Sequence, residues 1–128
     1  MIYEWVPKKV LIVEDDLHIS KVYQIQLAKE GFSIALAFDG EEAVKVMEKE
    51  NPDLIILDLM LPKKDGFWVL EEARKKAKFS KIPILVISNL GQNNDQKRAM
   101  ELGATEYLVK IDHSIQELID KIISYLKK

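Results

Sequence analysis

Residues 10–16 read VLIVEDD, an unbroken apolar run that ends in three acidic side chains. Four apolar residues without polar alternation are typical of a strand buried on both faces, as in a parallel sheet. Similar short runs recur along the chain at residues 34–36, 54–57, 84–87 and 107–109. The pattern predicts a sheet of five parallel strands.

Charged segments of helical length separate these apolar runs. In the last segment, Ile115, Leu118 and Ile122 recur at the three- and four-residue spacing of one helix face. Ser114 followed by Glu117 has the form of a capping box at the start of that helix. The spacing therefore predicts a helix with one apolar face packed on the sheet.

Strands and helices alternate strictly, which predicts an α/β fold with right-handed crossovers and helices on both faces of the sheet. One domain over residues 8–128 accounts for all of these elements, and residues 1–7 are predicted to form an N-terminal arm. The predicted strands are β1 (8–14), β2 (33–38), β3 (53–58), β4 (82–88) and β5 (105–110). The predicted helices are α1 (17–30), α2 (40–50), α3 (65–77), α4 (93–102) and α5 (114–127).

The composition excludes several classes of function. The chain has no cysteine, which excludes disulfides, thiol nucleophiles and thiolate metal sites and is compatible with a reducing compartment. A net charge of −2 argues against broad attraction to nucleic acid or to an anionic membrane. The sequence shows neither a signal-peptide pattern nor an apolar run of membrane-spanning length. We therefore expect a cytoplasmic protein that binds neither nucleic acid directly nor membrane.

Polar and charged side chains lie at the carboxyl ends of four predicted strands. Glu14 and Asp15 lie at the end of β1, and Asp58 lies at the end of β3. Ser88 and Lys110 hold the corresponding places on β4 and β5. Ligands of open parallel sheets bind beyond these strand ends, so we expect the five side chains to form one site.

Carboxylates gathered at one edge of a sheet repel each other unless a cation neutralises them. Carboxylate oxygens without a nearby histidine or cysteine favour Mg²⁺ over zinc, and Mg²⁺ often shares its coordination with phosphate oxygens. We therefore expect the acids to be unpaired and to bind Mg²⁺ without phosphate, with Lys110 on the phosphate side. The alternative is that the acids only cap α1, as Asp16 is placed to do, but this does not explain Asp58.

At these positions the sequence resembles the receiver domains of response regulators, the CheY-like phosphoacceptor modules of two-component signal transduction. The resemblance extends over residues 8–126. It implies a doubly wound (βα)5 fold, flavodoxin-like and CheY-like, with a five-stranded parallel sheet in the order 2-1-3-4-5. The matching positions are the acidic pair Glu14 and Asp15, the phosphoacceptor Asp58, the hydroxyl residue Ser88, the aromatic switch residue Tyr107 and the lysine Lys110.

The resemblance implies covalent chemistry at Asp58, which would take a phosphoryl group from a phosphohistidine of a histidine kinase or histidine phosphotransfer protein. It also implies Mg²⁺, with Mn²⁺ as an alternative ion, held by Glu14, Asp15, Asp58 and the backbone carbonyl of Met60. The lysine and the hydroxyl residue would then contact the phosphoryl oxygens. Such a domain modifies itself, so we do not expect an enzyme that turns over a separate substrate.

The resemblance further implies a conformational switch. Ser88 would move toward the phosphoryl group and Tyr107 would turn toward the space that it leaves, which changes the α4–β5–α5 surface for a downstream protein. Met60 and Leu90 would flank the approach of the water that hydrolyses the phosphoryl group. Because neither side chain can orient a water, they predict a long-lived phosphorylated form.

The sequence departs from the family pattern at two positions. Ile111 stands where the family usually has a cis proline, so we expect a trans bond between Lys110 and Ile111 and an altered β5–α5 loop. Asn89 replaces a small residue after Ser88 and is expected to narrow access to Asp58.

Two other functions stay open at this point. One is a receiver-like protein-interaction module that is never phosphorylated, although the filled chemical positions argue against it. The other is an aspartate-nucleophile phosphatase of the haloacid dehalogenase type, which needs a second aspartate two residues after Asp58, where Met60 stands. The sequence also leaves open whether the domain stands alone or belongs to a longer protein.

Overall fold

The computed structural model describes residues 6–127, so residues 1–5 of the predicted N-terminal arm lie outside the described residues. Within that range strands and helices alternate as predicted, with bounds within two residues of the expected ones. The strands are β1 (Lys9–Val13), β2 (Ser33–Ala37), β3 (Leu54–Leu57), β4 (Ile84–Ser88) and β5 (Glu106–Val109). The helices are α1 (Leu17–Lys29), α2 (Gly40–Glu50), α3 (Gly66–Lys75), α4 (Asn93–Glu101) and α5 (Ile115–Leu126).

The five strands form one parallel sheet in the order β2-β1-β3-β4-β5. The chain reverses its direction of winding at β1 and β3, which pair side by side. In open parallel sheets, ligands bind beyond the carboxyl ends of the two strands at which this reversal occurs. The doubly wound (βα)5, flavodoxin-like and CheY-like fold is confirmed.

Each face of the sheet carries its own apolar core. The side of Leu57 and Leu70 is covered by α2, α3 and α4, and the side of Ile56 and Ile122 is covered by α1 and α5. The central strands are buried on both faces, which explains their unbroken apolar sequences. Fully burying such a side chain contributes about 1.5–3 kcal/mol to stability. None of the helices described within residues 6–127 combines the length and apolar character needed to cross a membrane.

Side-chain caps fix where four of the described helices begin, α1 and α5 among them. Asp16 Oδ1 accepts hydrogen bonds from the backbone N–H groups of His18 and Ile19, over 2.9 and 3.1 Å. Ser114 and Glu117 form the predicted capping box at the start of α5. Asp16 therefore caps α1, whereas the preceding acids Glu14 and Asp15 belong to the acidic group with Asp58.

Arg74 connects α3 to the amino ends of β4 and β5. Its guanidinium donates hydrogen bonds of 2.7–2.9 Å to the carbonyl oxygens of Phe79, Ile82 and Gly103. Gly103 has a φ of 109°, and a Cβ there would lie 2.8 Å from Arg74 Cγ, so the contact requires glycine. Nothing in the local sequence pattern predicts this connection.

Candidate functional site

Five polar side chains meet beyond the carboxyl ends of β1, β3, β4 and β5. Asp58 lies at the centre and is only 5% exposed. Ser88 Oγ donates to Asp58 Oδ1 over 2.7 Å, and Lys110 Nζ donates to Asp58 Oδ2 over 2.7 Å. Glu14, Asp15 and Asp58 each offer a carboxylate oxygen, and these oxygens lie within 4.8 Å of one another. The fold thus brings together the five side chains that the strand ends predict.

The backbone around Asp58 holds the carboxylate in place. The N–H of Asp58 donates to the carbonyl of Val13 over 3.0 Å, which continues the pairing of β3 with β1. The N–H of Met60 donates to Asp58 Oδ1 over 3.0 Å. Gly66 begins α3 so close to this turn that a Cβ there would lie 2.3 Å from the carbonyl oxygen of Asp58. Glycine at residue 66 therefore allows α3 to start directly beside the site.

Lys110 bridges two of the carboxylates. Its Nζ lies 2.5 Å from Glu14 Oε1 and 2.7 Å from Asp58 Oδ2, and its side chain is 12% exposed. The expectation that the acids are unpaired is therefore wrong for Glu14 and Asp58, because the ammonium group of Lys110 is already their partner. The error arose because the sequence places Lys110 at a strand end without showing how far its side chain reaches.

Burial and charge shift the proton equilibria of the site. Burial raises the pKa of Glu14 to about 7, although the hydrogen bond from Lys110 opposes this rise. Burial lowers the pKa of Lys110, but the hydrogen bonds to Asp58 and Glu14 outweigh it and leave that pKa above its ordinary value. Glu14 can therefore gain or lose a proton near neutral pH while Lys110 stays charged.

Tyr23 on α1 is a neighbour of the site that the sequence pattern does not identify. The side chain is 1% exposed, and its hydroxyl has no hydrogen-bond partner among the residues that the structure describes. Burial raises the pKa of Tyr23, and the negative charges of Glu14 and Asp58 raise it further. The charges of Glu14 and Asp58 thus act on the Tyr23 hydroxyl, a proximity that helical spacing alone does not show.

The two predicted switch residues, Ser88 and Tyr107, lie on neighbouring strands. The Tyr107 hydroxyl donates a hydrogen bond to the carbonyl oxygen of Leu90. The backbone N–H of Leu90 in turn donates to Ser88 Oγ over 3.4 Å. Burial raises the pKa of Tyr107 to about 12, so its hydroxyl keeps the proton that it donates. The aromatic residue is thus linked to Ser88 through the loop after β4, which the sequence does not reveal.

The two residues predicted to limit water access differ in their surroundings. Met60 is 55% exposed, whereas Leu90 is half-buried and packs against the core on the side of α2, α3 and α4. The Met60 side chain is therefore accessible at the mouth of the site. Leu90 already has a packing role.

Asn89 and Ile111, the two residues that depart from the family pattern, are joined by a hydrogen bond. Asn89 Oδ1 accepts a hydrogen bond from the N–H of Ile111 over 3.1 Å. Ile111 lies in a 3-10 turn, Lys110–Asp112, that follows β5 directly. No peptide bond within residues 6–127 is cis, so the predicted trans bond between Lys110 and Ile111 is confirmed.

Comparison with known proteins places this chain in a family. The family model described as the response regulator receiver domain matches residues 10–123. The "Probable transcriptional regulator ycf27" of Cyanophora paradoxa is 40% identical over 121 residues, which are 94% of this chain and 49% of that protein. The chain therefore spans about half the length of the curated relatives that it matches.

Solved structures agree with this match. The Mn(2+)-bound form of response regulator Rcp1 is 31% identical, covers 92% of this chain and 91% of that chain, and has a TM-score of 0.79. The phosphorylated cyanobacterial phytochrome response regulator RcpA is 30% identical, covers 93% of this chain and 91% of that chain, and has a TM-score of 0.81. The sheet order, the acidic group beyond it and the family match over residues 10–123 lead to one conclusion: the chain belongs to the response regulator receiver domains of two-component signal transduction.

Proposed function

We propose that Asp58 accepts a phosphoryl group from a phosphohistidine of a histidine kinase or a histidine phosphotransfer protein. The observation that carries this proposal is the buried carboxylate of Asp58, which accepts hydrogen bonds from both Ser88 and Lys110. An aspartate that merely ended a strand would need neither an ammonium group nor two further carboxylates beside it. The phosphorylated form of the related RcpA supports the same chemistry here.

In the proposed transfer, one carboxylate oxygen of Asp58 attacks phosphorus and forms the new P–O bond. The P–N bond to the donor histidine breaks, and its electron pair stays on the imidazole, which leaves as the neutral ring because its other nitrogen carries a proton. Negative charge then moves from the Asp58 carboxylate to the phosphoryl oxygens. The Ser88 hydroxyl and the Lys110 ammonium group are positioned to follow this charge as donors.

The donor set fits Mg²⁺. Three carboxylates offer oxygen ligands within 4.8 Å of one another, which suits a hard divalent cation. We propose that Glu14, Asp15 and Asp58 hold the ion, with the backbone carbonyl of Met60 as a further ligand. When bound, the ion supplies positive charge that offsets the charge of the phosphoryl oxygens. The related Rcp1 has an Mn(2+)-bound form, which supports binding of a divalent ion by this chain, with Mn²⁺ as an alternative to Mg²⁺.

The proposed output is a change in the α4–β5–α5 surface. Ser88 contacts Asp58 directly, and Tyr107 is linked to Ser88 through Leu90, so a shift of charge at Asp58 has a physical route to β5. A downstream protein would read this surface, and the name of the ycf27 relatives favours an output at transcription. We infer that the domain changes its own state and does not turn over a separate substrate.

Incubation with acetyl phosphate and Mg²⁺, followed by intact mass measurement, tests the proposal. The wild-type mass should rise by one phosphoryl unit, and Asp58→Asn should abolish the rise. Asp53→Asn is a matched control, because Asp53 is an exposed acid just before β3, at the opposite end of the strand from Asp58. Label that persists in Asp58→Asn, or that maps to Ser88, would contradict the assignment. An unlabelled wild-type protein would favour a non-phosphorylated interaction module.

A further inference from the structure

We propose that Asn89 is a positioning residue for phosphoryl transfer at Asp58 and that it acts through its hydrogen bond to the backbone of Ile111. The inference rests on the proposed phosphorylation of Asp58. Asn89 Oδ1 accepts from the Ile111 N–H over 3.1 Å. This contact, which we call the Asn89–Ile111 tether, joins the loop after β4 to the turn after β5.

The tether connects the residues that directly follow the two donors of the site. Ser88 precedes Asn89, and Lys110 precedes Ile111. These two donors contact opposite oxygens of Asp58, each over 2.7 Å. A bond between the next residues along the chain therefore constrains the two backbone positions from which the hydroxyl and the ammonium group extend. The separation of these positions bears on whether both groups can reach the oxygens of one phosphoryl group.

The tether requires both a backbone N–H at residue 111 and a side-chain acceptor at residue 89. The N–H of Ile111 lies in the first part of the 3-10 turn Lys110–Asp112, where N–H groups have no partner within the turn itself. A proline at this position would have no N–H to donate. An alanine or glycine in place of Asn89 would offer no side-chain acceptor. The two departures from the family pattern thus form a single matched contact.

The tether is not the only anchor of the loop, so its loss should loosen the site without unfolding the chain. The Tyr107 hydroxyl holds the carbonyl of Leu90, the next residue of the same loop. Asn89 itself is exposed, and Ile111 is 79% exposed, so truncating either side chain opens no cavity in the core. These properties make the contact suitable for a double-mutant cycle.

Four variants separate the tether from other effects. Asn89→Ala removes the acceptor, Ile111→Pro removes the donor, and the double variant removes both. Ile111→Ala is the matched control, because it truncates the exposed side chain and keeps the N–H. Phosphorylation by acetyl phosphate with saturating Mg²⁺ is followed at several donor concentrations, which gives a maximal rate and a half-saturation concentration. Amide hydrogen exchange at residue 111 reports the hydrogen bond without any phosphoryl donor.

Asn89→Ala and Ile111→Pro should each lower the maximal phosphorylation rate by about two- to tenfold, the effect of one ordinary hydrogen bond. The double variant should be no slower than the slower single variant, since both changes remove the same contact. In these variants the half-saturation concentration of acetyl phosphate and the melting temperature should stay near the wild-type values. Ile111→Ala should behave as wild type in all of these measurements. Exchange at the Ile111 amide should become faster in Asn89→Ala.

The measurements distinguish failure of the tether from failure of the proposed phosphorylation of Asp58. Losses that multiply in the double variant, or an Ile111 amide that exchanges equally fast with and without Asn89, would overturn the tether. A faster Asn89→Ala variant would also overturn it, because the side chain would then act by narrowing access to Asp58. A labelled wild type with unaffected variants would remove only the role of Asn89. An unlabelled wild type would remove the proposed function, and the positioning role with it.

Discussion

Lys110 Nζ lies 2.5 Å from Glu14 Oε1, so residues at the ends of β5 and β1 form a buried ion pair beside Asp58. Three species can therefore act on one carboxylate: the lysine ammonium group, a proton and a divalent cation. A buried ion pair is weak evidence for stability in itself, but removing one partner leaves an uncompensated charge. The balance among these three species yields the first three predictions.

Mg²⁺ should stabilise the folded protein through Asp15. Binding to the folded state alone should add about 2.7 kcal/mol at one hundred times Kd, seen as a higher melting temperature. Asp15→Asn should reduce this response. Asp16→Asn is the matched control, since it removes the same charge one residue away and asparagine still caps α1. An equal response of Asp15→Asn and Asp16→Asn would argue against the metal site.

The affinity for Mg²⁺ should rise with pH. Because burial raises the pKa of Glu14 to about 7, the folded protein holds a proton there that the unfolded chain has already lost. The stability from this protonation is complete below the unfolded pKa of 4.5 and is lost as the pH rises through about 7. Metal binding must displace the same proton, so the affinity should increase by about tenfold between pH 6 and pH 8.

Calorimetric titration of Mg²⁺ at the two pH values measures this effect. Glu14→Gln cannot lose a proton and should bind more weakly, with little change between pH 6 and pH 8. If the wild type binds Mg²⁺ equally tightly at pH 6 and pH 8, Glu14 is already ionised at pH 6 and the prediction is wrong.

Removing the ammonium group should make the protein more dependent on metal. Lys110→Met leaves Glu14 and Asp58 without their cationic partner and should cost about 3 kcal/mol at pH 8. The loss should shrink at pH 6, where Glu14 takes up a proton, and Mg²⁺ should restore more stability than in wild type. Phosphorylation of Asp58 should persist in part, while the switch at Tyr107 should be impaired.

Lys121→Met is the control for this change. Lys121 forms an ion pair with Glu106 over 3.1 Å, but its side chain is 43% exposed, so its loss should cost no more than about 1 kcal/mol. Denaturant melts with and without Mg²⁺ give both values. A smaller loss for Lys110→Met than for Lys121→Met would contradict the importance of the buried pair.

The phosphorylated form should be long-lived because apolar side chains flank the approach to Asp58. Met60→Asn introduces a group that can orient a water, and phosphate release should become several-fold faster than in wild type. The double variant Met60→Asn/Leu90→Glu should be faster still, although Leu90 also packs against the core and its replacement should lower stability. Met100→Asn is the control, because Met100 is similarly exposed at 46% but lies on α4. Release that is unchanged in Met60→Asn would refute shielding by this side chain.

Arg74 should be essential to stability even though it lies outside the site. Arg74→Lys cannot reproduce the hydrogen bonds to the carbonyls of Phe79, Ile82 and Gly103, and it should cost about 2–4 kcal/mol. Arg98→Lys is the control, because Arg98 lies 4.2 Å from the Phe67 ring centroid in a cation–π contact, worth about 0.5–1 kcal/mol where it is exposed. Chemical denaturation of both variants compares the two arginines, and equal losses would contradict the prediction.

The five strands, the five helices and the side chains that meet in the site can be predicted from the amino-acid sequence. Unbroken apolar runs report burial on both faces of a strand, and the capping box of Ser114 and Glu117 reports a helix start. Both signals depend on residues only a few positions apart, so they can be read locally. The order of strand ends then places Asp58, Ser88 and Lys110 at one edge of the sheet, where the structure has them.

The contacts among these groups are visible only in the folded chain. The pairing of Lys110 with Glu14, the hydrogen bond of Tyr107 to Leu90 and the Asn89–Ile111 tether all join residues from different strand ends. Such contacts depend on strand order, register and the reach of each side chain, to a precision of a few tenths of an ångström. No local pattern of apolar and polar residues carries that information, because it reports which face of an element is buried and not which distant side chain lies across from it.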